Sequence, residues 1–144
     1  DGQLLTEGPA IVQYLADQKP EAGLLPPAGS LARARVQEWL TFIGTEIHKN
    51  FSPLFRPDIS DDGKAAARAI LDRRLAFVDQ ALVGRDHLAG SQFSVADVYL
   101  FTVLSWARYV QIDLAPWPAL ATFQTRMTTR PAVQAAMQSE GLLK

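Results

Sequence analysis

Two patterns alternate along the stretch between residues 36 and 52. Apolar side chains recur at helical spacing, at Val36, Leu40, Ile43, Ile47 and Phe51. At about 100° per residue, a second and separate arc collects small and polar residues: Thr41, Gly44, Thr45, His48 and Ser52. This arrangement predicts an amphipathic helix that buries the apolar stripe and lines a polar cleft with the other arc. In that cleft, His48 is the residue that can change charge near neutral pH.

Helical spacing continues to the end of the chain. Ser30 is the predicted N-cap of the helix just described, and Pro53 and Pro57 are expected to end or kink it. Ser60 begins the next helix, whose apolar residues are Leu71, Leu75, Val78 and Leu82, and Gly84 ends it. Two short helices close the chain, with inward residues at Leu120, Phe123 and Met127 and at Val133, Ala136 and Met137.

The sharpest local signal is a predicted helix start at Ser94. Ser94 and Asp97 have the spacing of a capping box, with Asp in place of the usual Glu. We assign both residues to folding rather than to chemistry. The helix that follows, through Val110, is apolar nearly all round, which predicts a position at the centre of a helical bundle. The fold class is therefore predicted to be all-α from residue 30 to residue 144.

The first 29 residues follow a different pattern. A turn at Asp1-Gly2 and the short apolar run 3–5 read as the end of a strand, and a helix begins near Pro9. Its predicted apolar face consists of Ala10, Ile11, Tyr14 and Leu15. Such a short segment cannot bury that face alone, so we interpret residues 1–18 as the tail of an α/β unit. The proline-rich stretch 19–29 is predicted to be a linker between domains.

Composition narrows the choice of function. Net charge is −1 over 144 residues, with acidic and basic residues interspersed, which argues against nucleic acid as a partner. No run is apolar enough for a membrane span and the first residues do not resemble a signal peptide, so we expect no membrane partner and a cytoplasmic location. The arginines 68, 73 and 74 are expected to form a solvated face.

Cysteine is absent, which excludes disulfides, zinc–thiolate sites and a thiol nucleophile within these residues. The two histidines, His48 and His87, lack a carboxylate at metal-ligand spacing. We therefore predict no metal site. His87, in the loop between Gly84 and Gly90, is expected to be a surface residue.

Several runs of the chain resemble one known family along its whole length. They are Leu5-Thr-Glu-Gly-Pro-Ala-Ile-Val-Gln-Tyr-Leu-Ala-Asp17, Glu38-Trp-Leu, Thr45-Glu-Ile-His-Lys49, Ser52-Pro-Leu-Phe-Arg-Pro57, Phe93-Ser-Val-Ala-Asp97, Leu100-Phe-Thr-Val-Leu104 with Trp106, and Arg130-Pro-Ala-Val-Gln134. Together they resemble the bacterial beta class of glutathione S-transferases. The Ser-Val-Ala-Asp box is typical of the superfamily, and the Glu-Ile-His-Lys and Ser-Pro-Leu-Phe-Arg-Pro runs point to the beta class.

The resemblance implies a thioredoxin-like N-terminal domain, an all-helical C-terminal domain and a homodimer. Residues 1–18 would then be the last part of the thioredoxin-like domain, 19–29 the interdomain linker, and 30–144 the helical domain. The beta-class cysteine would belong to a segment upstream of Asp1. These 144 residues by themselves are therefore expected to lack part of what full activity needs.

The resemblance also implies roles for individual residues in binding glutathione, the co-substrate. Glu7 and Gly8 match the motif that holds its γ-glutamyl end, His48 and the neighbouring Lys49 lie near its sulfur, and Thr41 and Thr45 approach it, in some relatives from the partner subunit. His48, Phe51 and Trp106 would line the pocket for a hydrophobic electrophile.

Five of these residues have a structural alternative. Gly8 could serve merely to cap a helix, without any contact to a ligand. His48 could be a structural histidine, and Thr41 could make a helix–helix hydrogen bond. Packing alone could explain Phe51 and Trp106.

Two hypotheses of function remain open from the sequence. In the first, the chain is part of a glutathione transferase that directs the thiolate of glutathione at a hydrophobic electrophile, or exchanges thiols through an upstream cysteine. In the second, it is a non-catalytic helical domain that serves as an interaction scaffold. The presence of Glu7, His48 and Trp106 together favours the enzyme, because a scaffold has no need of that set.

Overall fold

The computed structural model describes residues 2–143, and within them the chain is helical. The α-helices are α1 (Gly8–Asp17), α2 (Leu31–Phe42), α3 (Lys49–Phe55), α4 (Asp61–Leu82), α5 (Val95–Leu104), α6 (Pro118–Thr128) and α7 (Pro131–Ser139). Tighter 3₁₀ turns occupy Pro20–Ala22 and Ser105–Val110, and a wider π-helical segment occupies Ile43–His48. The all-α prediction is confirmed.

The strand end predicted at residues 3–5 does not form. Residues 2–7 run without regular secondary structure up to the start of α1. A strand exists only where a neighbour pairs with its backbone, and residues 2–143 offer no such neighbour to this segment. The sequence predicts only the end of a strand here, too short to form one by itself, and residues 3–5 accordingly have no strand structure.

α2, the π-helical segment and α3 form one continuous rod, as the sequence predicts. Ser30 caps its start, because its hydroxyl oxygen accepts a hydrogen bond from the Arg33 N–H at 3.1 Å. Inside the rod, the Lys49 N–H donates to the Gly44 carbonyl, five residues back instead of four. This wider turn rotates the residues on its two sides relative to a regular α-helix. The rod ends at Phe55, two residues after Pro53.

The core lies between this rod, α4 and α5. The predicted stripe of the rod is fully buried, at 0–1% exposure for Val36, Leu40, Ile43, Ile47 and Phe51. The α4 residues Leu71, Leu75, Val78 and Leu82 lie against it, also buried. α5 contacts α1, α2, the π-helical segment and α6, so its predicted central position is confirmed.

Two buried aspartates organise helix starts. Asp97, at 0% exposure, accepts hydrogen bonds from the Ser94 N–H at 2.8 Å and from the Leu88 N–H at 2.9 Å. The capping box predicted for α5 is thereby confirmed. Asp79 of α4 accepts from the Leu120 N–H at 2.9 Å and so caps α6 from another helix. The sequence carries no local signal for this second cap, because the two residues are 41 positions apart.

The segment predicted to be a linker is attached to the bundle. The Leu24 carbonyl accepts a hydrogen bond from the Val95 N–H at 3.0 Å, and Leu25 is buried. Arg33 of α2 donates two hydrogen bonds to the Asp17 carboxylate, at 2.7 and 2.8 Å, and so holds the end of α1 beside α2.

α1 presents apolar side chains on two sides. Ala16 is buried and Val12 packs against the core, whereas Tyr14 and Leu15 remain 55% and 60% exposed. The face predicted at Ala10, Ile11, Tyr14 and Leu15 is thus the outer side of α1. Within residues 2–143, it is left largely uncovered.

Three smaller expectations need correction. Arg68 is not solvated, because its guanidinium donates a 2.6 Å hydrogen bond to the Val110 carbonyl. His87 is half-buried against the Phe93 ring, 5.8 Å away between centroids, and is not a surface residue. Ala136 is exposed, while Val133 and Met137 of the same helix pack inward. Among the described residues, no helix combines the length and apolar character that crossing a bilayer requires.

Candidate functional site

His48 lies beside an open cavity of about 580 Å³. The cavity is formed where the end of the rod meets the 3₁₀ turn that follows α5. Its walls are His48, Ser52, Phe55, Arg56, Trp106 and Tyr109. The site therefore combines one imidazole and one guanidinium with three aromatic rings, a composition suited to a ligand that is part polar and part apolar.

Two aromatic rings hold the imidazole of His48. The Trp106 ring meets it edge to face, with 4.7 Å between centroids and 82° between planes. From α5, the Tyr99 hydroxyl oxygen lies 2.7 Å from His48 Nδ1. The other ring nitrogen, Nε2, has no hydrogen-bond partner among residues 2–143 and is not sealed from solvent. Nε2 is therefore the atom that can meet a ligand.

Tyr99 sits between the start of α1 and the π-helical segment. A Cβ placed on Gly8 would lie 3.7 Å from Tyr99 Cε2, and one placed on Gly44 would lie 3.7 Å from the Tyr99 hydroxyl oxygen. Burial raises the pKa of the Tyr99 phenol, and the charge of Glu7 raises it further. Tyr99 is consequently a neutral hydroxyl throughout the physiological range.

Glu7 and Gly8 lie near Tyr99, and therefore in the same region of the molecule as His48. Glu7 is exposed and has a left-handed backbone, with φ of 69°, which is uncommon for a residue with a side chain. Its carbonyl accepts the N–H groups of Ala10 and Ile11, both at 3.0 Å, so it closes the first turn of α1. The carboxylate of Glu7 is therefore exposed at the start of a helix.

Thr41 and Thr45 do not share the cavity of His48. They border a separate groove together with Glu38, Phe42, Glu46 and Arg74. Each hydroxyl donates to a backbone carbonyl of its own helix, Thr41 to Gln37 at 2.9 Å and Thr45 to Thr41 at 3.1 Å. The single polar arc predicted from regular helical spacing is thus divided between two surfaces, with Thr41 and Thr45 at one and His48 and Ser52 at the other.

Phe51 and Lys49 also lie outside the cavity wall. Phe51 is 0% exposed and supports Trp106 from the core side, with 6.0 Å between ring centroids. The prediction that it lines the pocket therefore needs correction, and Phe55, four residues later, occupies that position. Lys49 is exposed and is absent from the lining of this cavity.

Sequence reasoning missed Tyr99, Phe55, Arg56 and Tyr109. Phe55 follows His48 by seven residues and Tyr109 follows Trp106 by three, so helical spacing could have placed both near the site. Tyr99 carries no comparable signal, because it lies in an apolar helix 51 residues away from His48. Over the described part of the chain, no group of three or more His, Asp or Glu side chains is arranged to hold a metal ion.

Comparison with known proteins gives a consistent result. Residues 42–131 match the family model described as the C-terminal domain of glutathione S-transferase. The chain is 49% identical over 142 residues to glutathione S-transferase GstA of Escherichia coli O157:H7, a match that covers 99% of this chain and 71% of GstA.

Solved structures show the same relationship in three dimensions. The ternary complex of BphK, a bacterial glutathione S-transferase, superposes with a TM-score of 0.97 at 55% identity, covering 99% of this chain and 71% of BphK. A sphingomonad glutathione S-transferase, solved in complex with glutathione, superposes with a TM-score of 0.92 at 52% identity, covering 96% of this chain and 69% of that protein. A beta class enzyme of Sphingomonas chungbukensis superposes equally well, with a TM-score of 0.92 at 47% identity and the same coverage.

Proposed function

This chain belongs to the glutathione S-transferase family, and we propose that its cavity beside His48 is where the thiolate of glutathione attacks a hydrophobic electrophile. The observation that carries the proposal is the position of the imidazole. His48 is half-buried, its Nε2 has no hydrogen-bond partner within residues 2–143, and it borders a cavity whose other walls are mainly aromatic.

The physical need for such a group follows from thiol chemistry. A thiol with a pKa of about 8.5 is only a few per cent ionised at neutral pH, and the thiolate is the nucleophile. A hydrogen-bond donor close to the sulfur stabilises the thiolate, and each tenfold gain in ionisation requires about 1.4 kcal/mol. His48 can supply that donor through Nε2, whereas Arg56 at the cavity wall is already paired with the Asp58 carboxylate.

The reaction forms one bond and breaks another. The sulfur of glutathione forms a bond to an electrophilic carbon, the leaving group departs with its electron pair, and the thiol proton passes to solvent. Trp106, Phe55 and Tyr109 provide an apolar surface for the electrophile next to the sulfur. Thiol exchange through a cysteine of the thioredoxin-like domain would use the same position of the sulfur.

Other contacts would hold the rest of the tripeptide. We assign the γ-glutamyl end to Glu7 and Gly8, where a carboxylate pairs with its ammonium group and N–H groups at the start of α1 meet its carboxylate. Thr41 and Thr45 lie in a separate groove, so any contact to glutathione from them would be to the molecule bound in a partner subunit. Lys49 would act only as a long-range positive charge.

The architecture belongs to the same proposal. Residues 1–18 would complete a thioredoxin-like domain, 19–29 would connect the two domains, and 30–144 would form the helical domain of a cytoplasmic homodimer. A cluster of Trp39, Phe42 and Phe77 supports the dimer, because its rings pack against one another while Phe77 stays 54% exposed. Exposed aromatic clusters of this kind favour protein–protein contact.

The test uses a two-domain fusion, in which the thioredoxin-like domain of a related glutathione S-transferase precedes this chain. His48→Ala in the fusion is expected to lower kcat/KM for conjugation about tenfold or more. His87→Ala is the matched control, since it removes the other histidine from a position outside the cavity, and it should leave turnover unchanged. Unchanged turnover in a folded His48→Ala protein would remove His48 from the mechanism.

A second measurement separates the enzyme from the scaffold hypothesis. Calorimetry and turnover assays on the fusion and on the 144-residue chain alone should show glutathione binding and activity in the fusion, with little or no activity in the chain alone. Comparable turnover by the chain alone would contradict the prediction that activity needs both domains. A folded fusion that neither binds nor turns over glutathione would instead favour a scaffold.

A further inference from the structure

The hydrogen bond between His48 and Tyr99 indicates which nitrogen of the neutral imidazole carries the proton. A neutral imidazole carries one proton, on Nδ1 or on Nε2, and the partner of one nitrogen decides which. Nδ1 lies 2.7 Å from the Tyr99 hydroxyl oxygen, a short and specific contact between residues on different helices. Tyrosine can either donate or accept in this bond.

The hydrogen bond can run in two directions, with either the Tyr99 hydroxyl or the Nδ1–H group as the donor. The partners available to the Tyr99 hydroxyl distinguish these two directions. Within residues 2–143, the Tyr99 hydroxyl has no hydrogen-bond partner other than His48 Nδ1. If Tyr99 donates, its proton and the Nδ1 lone pair satisfy each other. If Nδ1–H donates instead, the hydroxyl proton has no acceptor in the described part of the protein, which is the costlier arrangement for a half-buried group.

We propose that Tyr99 is a positioning residue, whose hydroxyl donates to His48 Nδ1 and so fixes the imidazole proton on Nε2, the nitrogen that has no partner among residues 2–143. The consequence is a donor, rather than a lone pair, at the position open to a ligand. This inference rests on the proposed function only in naming the ligand atom as the sulfur of glutathione. An N–H stabilises a thiolate there, whereas a lone pair would repel it.

The packing of Tyr99 supports this role. A Cβ placed on Gly8 of α1, or on Gly44 of the π-helical segment, would lie 3.7 Å from the nearest Tyr99 atom, so Tyr99 occupies the space between these two elements. The Trp106 ring lies beside the imidazole, with 4.7 Å between centroids. The raised pKa of Tyr99 also keeps its hydroxyl protonated, so that the donor persists under physiological conditions.

The charged groups considered around this pair belong to the start of α1 and to the two ends of α3. Glu7, just before α1, acts on Tyr99 by its negative charge. Arg56, after α3, shares the cavity wall with His48. Lys49 follows His48 directly in the chain and is exposed. None of the three forms a hydrogen bond to the imidazole, which leaves Tyr99 as its partner.

The first test reads the tautomer in the 144-residue chain and needs neither glutathione nor activity. Two-bond ¹H–¹⁵N NMR spectra of the chain labelled at histidine, recorded above about pH 8 where imidazole is neutral, identify which nitrogen carries the proton. The chain has only two histidines, and the signals lost in His48→Gln are those of His48. We expect a proton on Nε2 and an Nδ1 resonance shifted by an accepted hydrogen bond. A proton on Nδ1 would overturn the proposal, whatever the protein binds.

The second test removes the donor. Tyr99→Phe should move the Nδ1 resonance to the position of an unpaired lone pair, while Tyr14→Phe, at an exposed position of α1, should leave it in place. In the two-domain fusion, Tyr99→Phe should lower kcat about tenfold, the factor that corresponds to a hydrogen bond of about 1.4 kcal/mol, with little change in KM for glutathione. An Nδ1 resonance that does not move in Tyr99→Phe would contradict the proposal. Loss of glutathione binding by the unmodified fusion would instead count against the proposed function alone.

Discussion

The indole of Trp106 meets the imidazole of His48 edge to face, with 4.7 Å between the ring centroids and planes at 82°. Behind this pair, Phe51 touches Trp106 from the core, and in front of it Phe55 forms part of the cavity wall. Trp106 therefore contacts both the buried ring of Phe51 and the imidazole at the site.

Replacement of this indole should affect the electrophile more than glutathione. Trp106→Ala in the two-domain fusion is expected to lower kcat/KM for a bulky apolar electrophile by about tenfold to a hundredfold, because one aromatic wall is lost. The KM for glutathione should change much less. Steady-state kinetics with both substrates varied will measure the difference.

Trp117→Phe is the control for that experiment, because Trp117 borders a different cavity, together with Asp72 and Ile112. It should leave both kinetic parameters close to those of the unmodified fusion. Equal losses toward glutathione and the electrophile in Trp106→Ala would show that Trp106 supports the fold rather than the pocket.

Asp97 should be among the most sensitive positions for stability. Its carboxylate accepts three hydrogen bonds while fully buried, from the backbone N–H groups of Ser94 and Leu88 and from the Ser94 hydroxyl. Asp97→Ala leaves those donors unpaired in the core, and we expect the free energy of unfolding to fall by about 3 kcal/mol. Urea denaturation followed by circular dichroism measures this loss.

Asp113 provides the comparison at the surface. It also accepts a backbone N–H, that of Ala115 at 2.9 Å, but it is exposed, so water can replace the bond. Asp113→Ala should cost less than about 1 kcal/mol. A similar loss of unfolding free energy in Asp97→Ala and Asp113→Ala would mean that burial does not determine how much Asp97 contributes to stability.

The ion pair between Asp17 and Arg33 predicts a defined pH dependence. The two hydrogen bonds from Arg33 hold the pKa of the Asp17 carboxyl below its ordinary value of about 3.9. A carboxyl with a lowered pKa stabilises the folded state above its unfolded pKa, and this contribution is lost as the pH falls through the folded pKa. Asp17→Asn should therefore lower Tm at pH 7, and the difference from the unmodified chain should shrink below about pH 4.

Asp58→Asn serves as the control for this ion pair. Asp58 pairs with Arg56, only two residues away, so that the contact closes no long segment of chain. Its removal should change Tm less than that of Asp17, which joins α1 to α2. A difference between Asp17→Asn and the unmodified chain that stays constant from pH 7 to about pH 3 would contradict the assignment.

The sequence by itself determined the features that depend on neighbours within one helix. The stripe from Val36 to Phe51, the cap at Ser30 and the box at Ser94 and Asp97 all appear as predicted. They were readable because side chains three and four positions apart must share a helix face, whatever surrounds the helix. The same local regularity singled out His48 as a residue of the polar face.

Tertiary structure alone decided which of those residues meet. Thr41 and Thr45 border a different groove from the cavity of His48, although a constant 100° per residue places all three on one arc. Tyr99 reaches His48 across 51 residues, and Asp79 caps a helix 41 residues away. Such partners are selected by how helices pack, and packing depends on the shapes of all the buried side chains together rather than on any spacing along one segment.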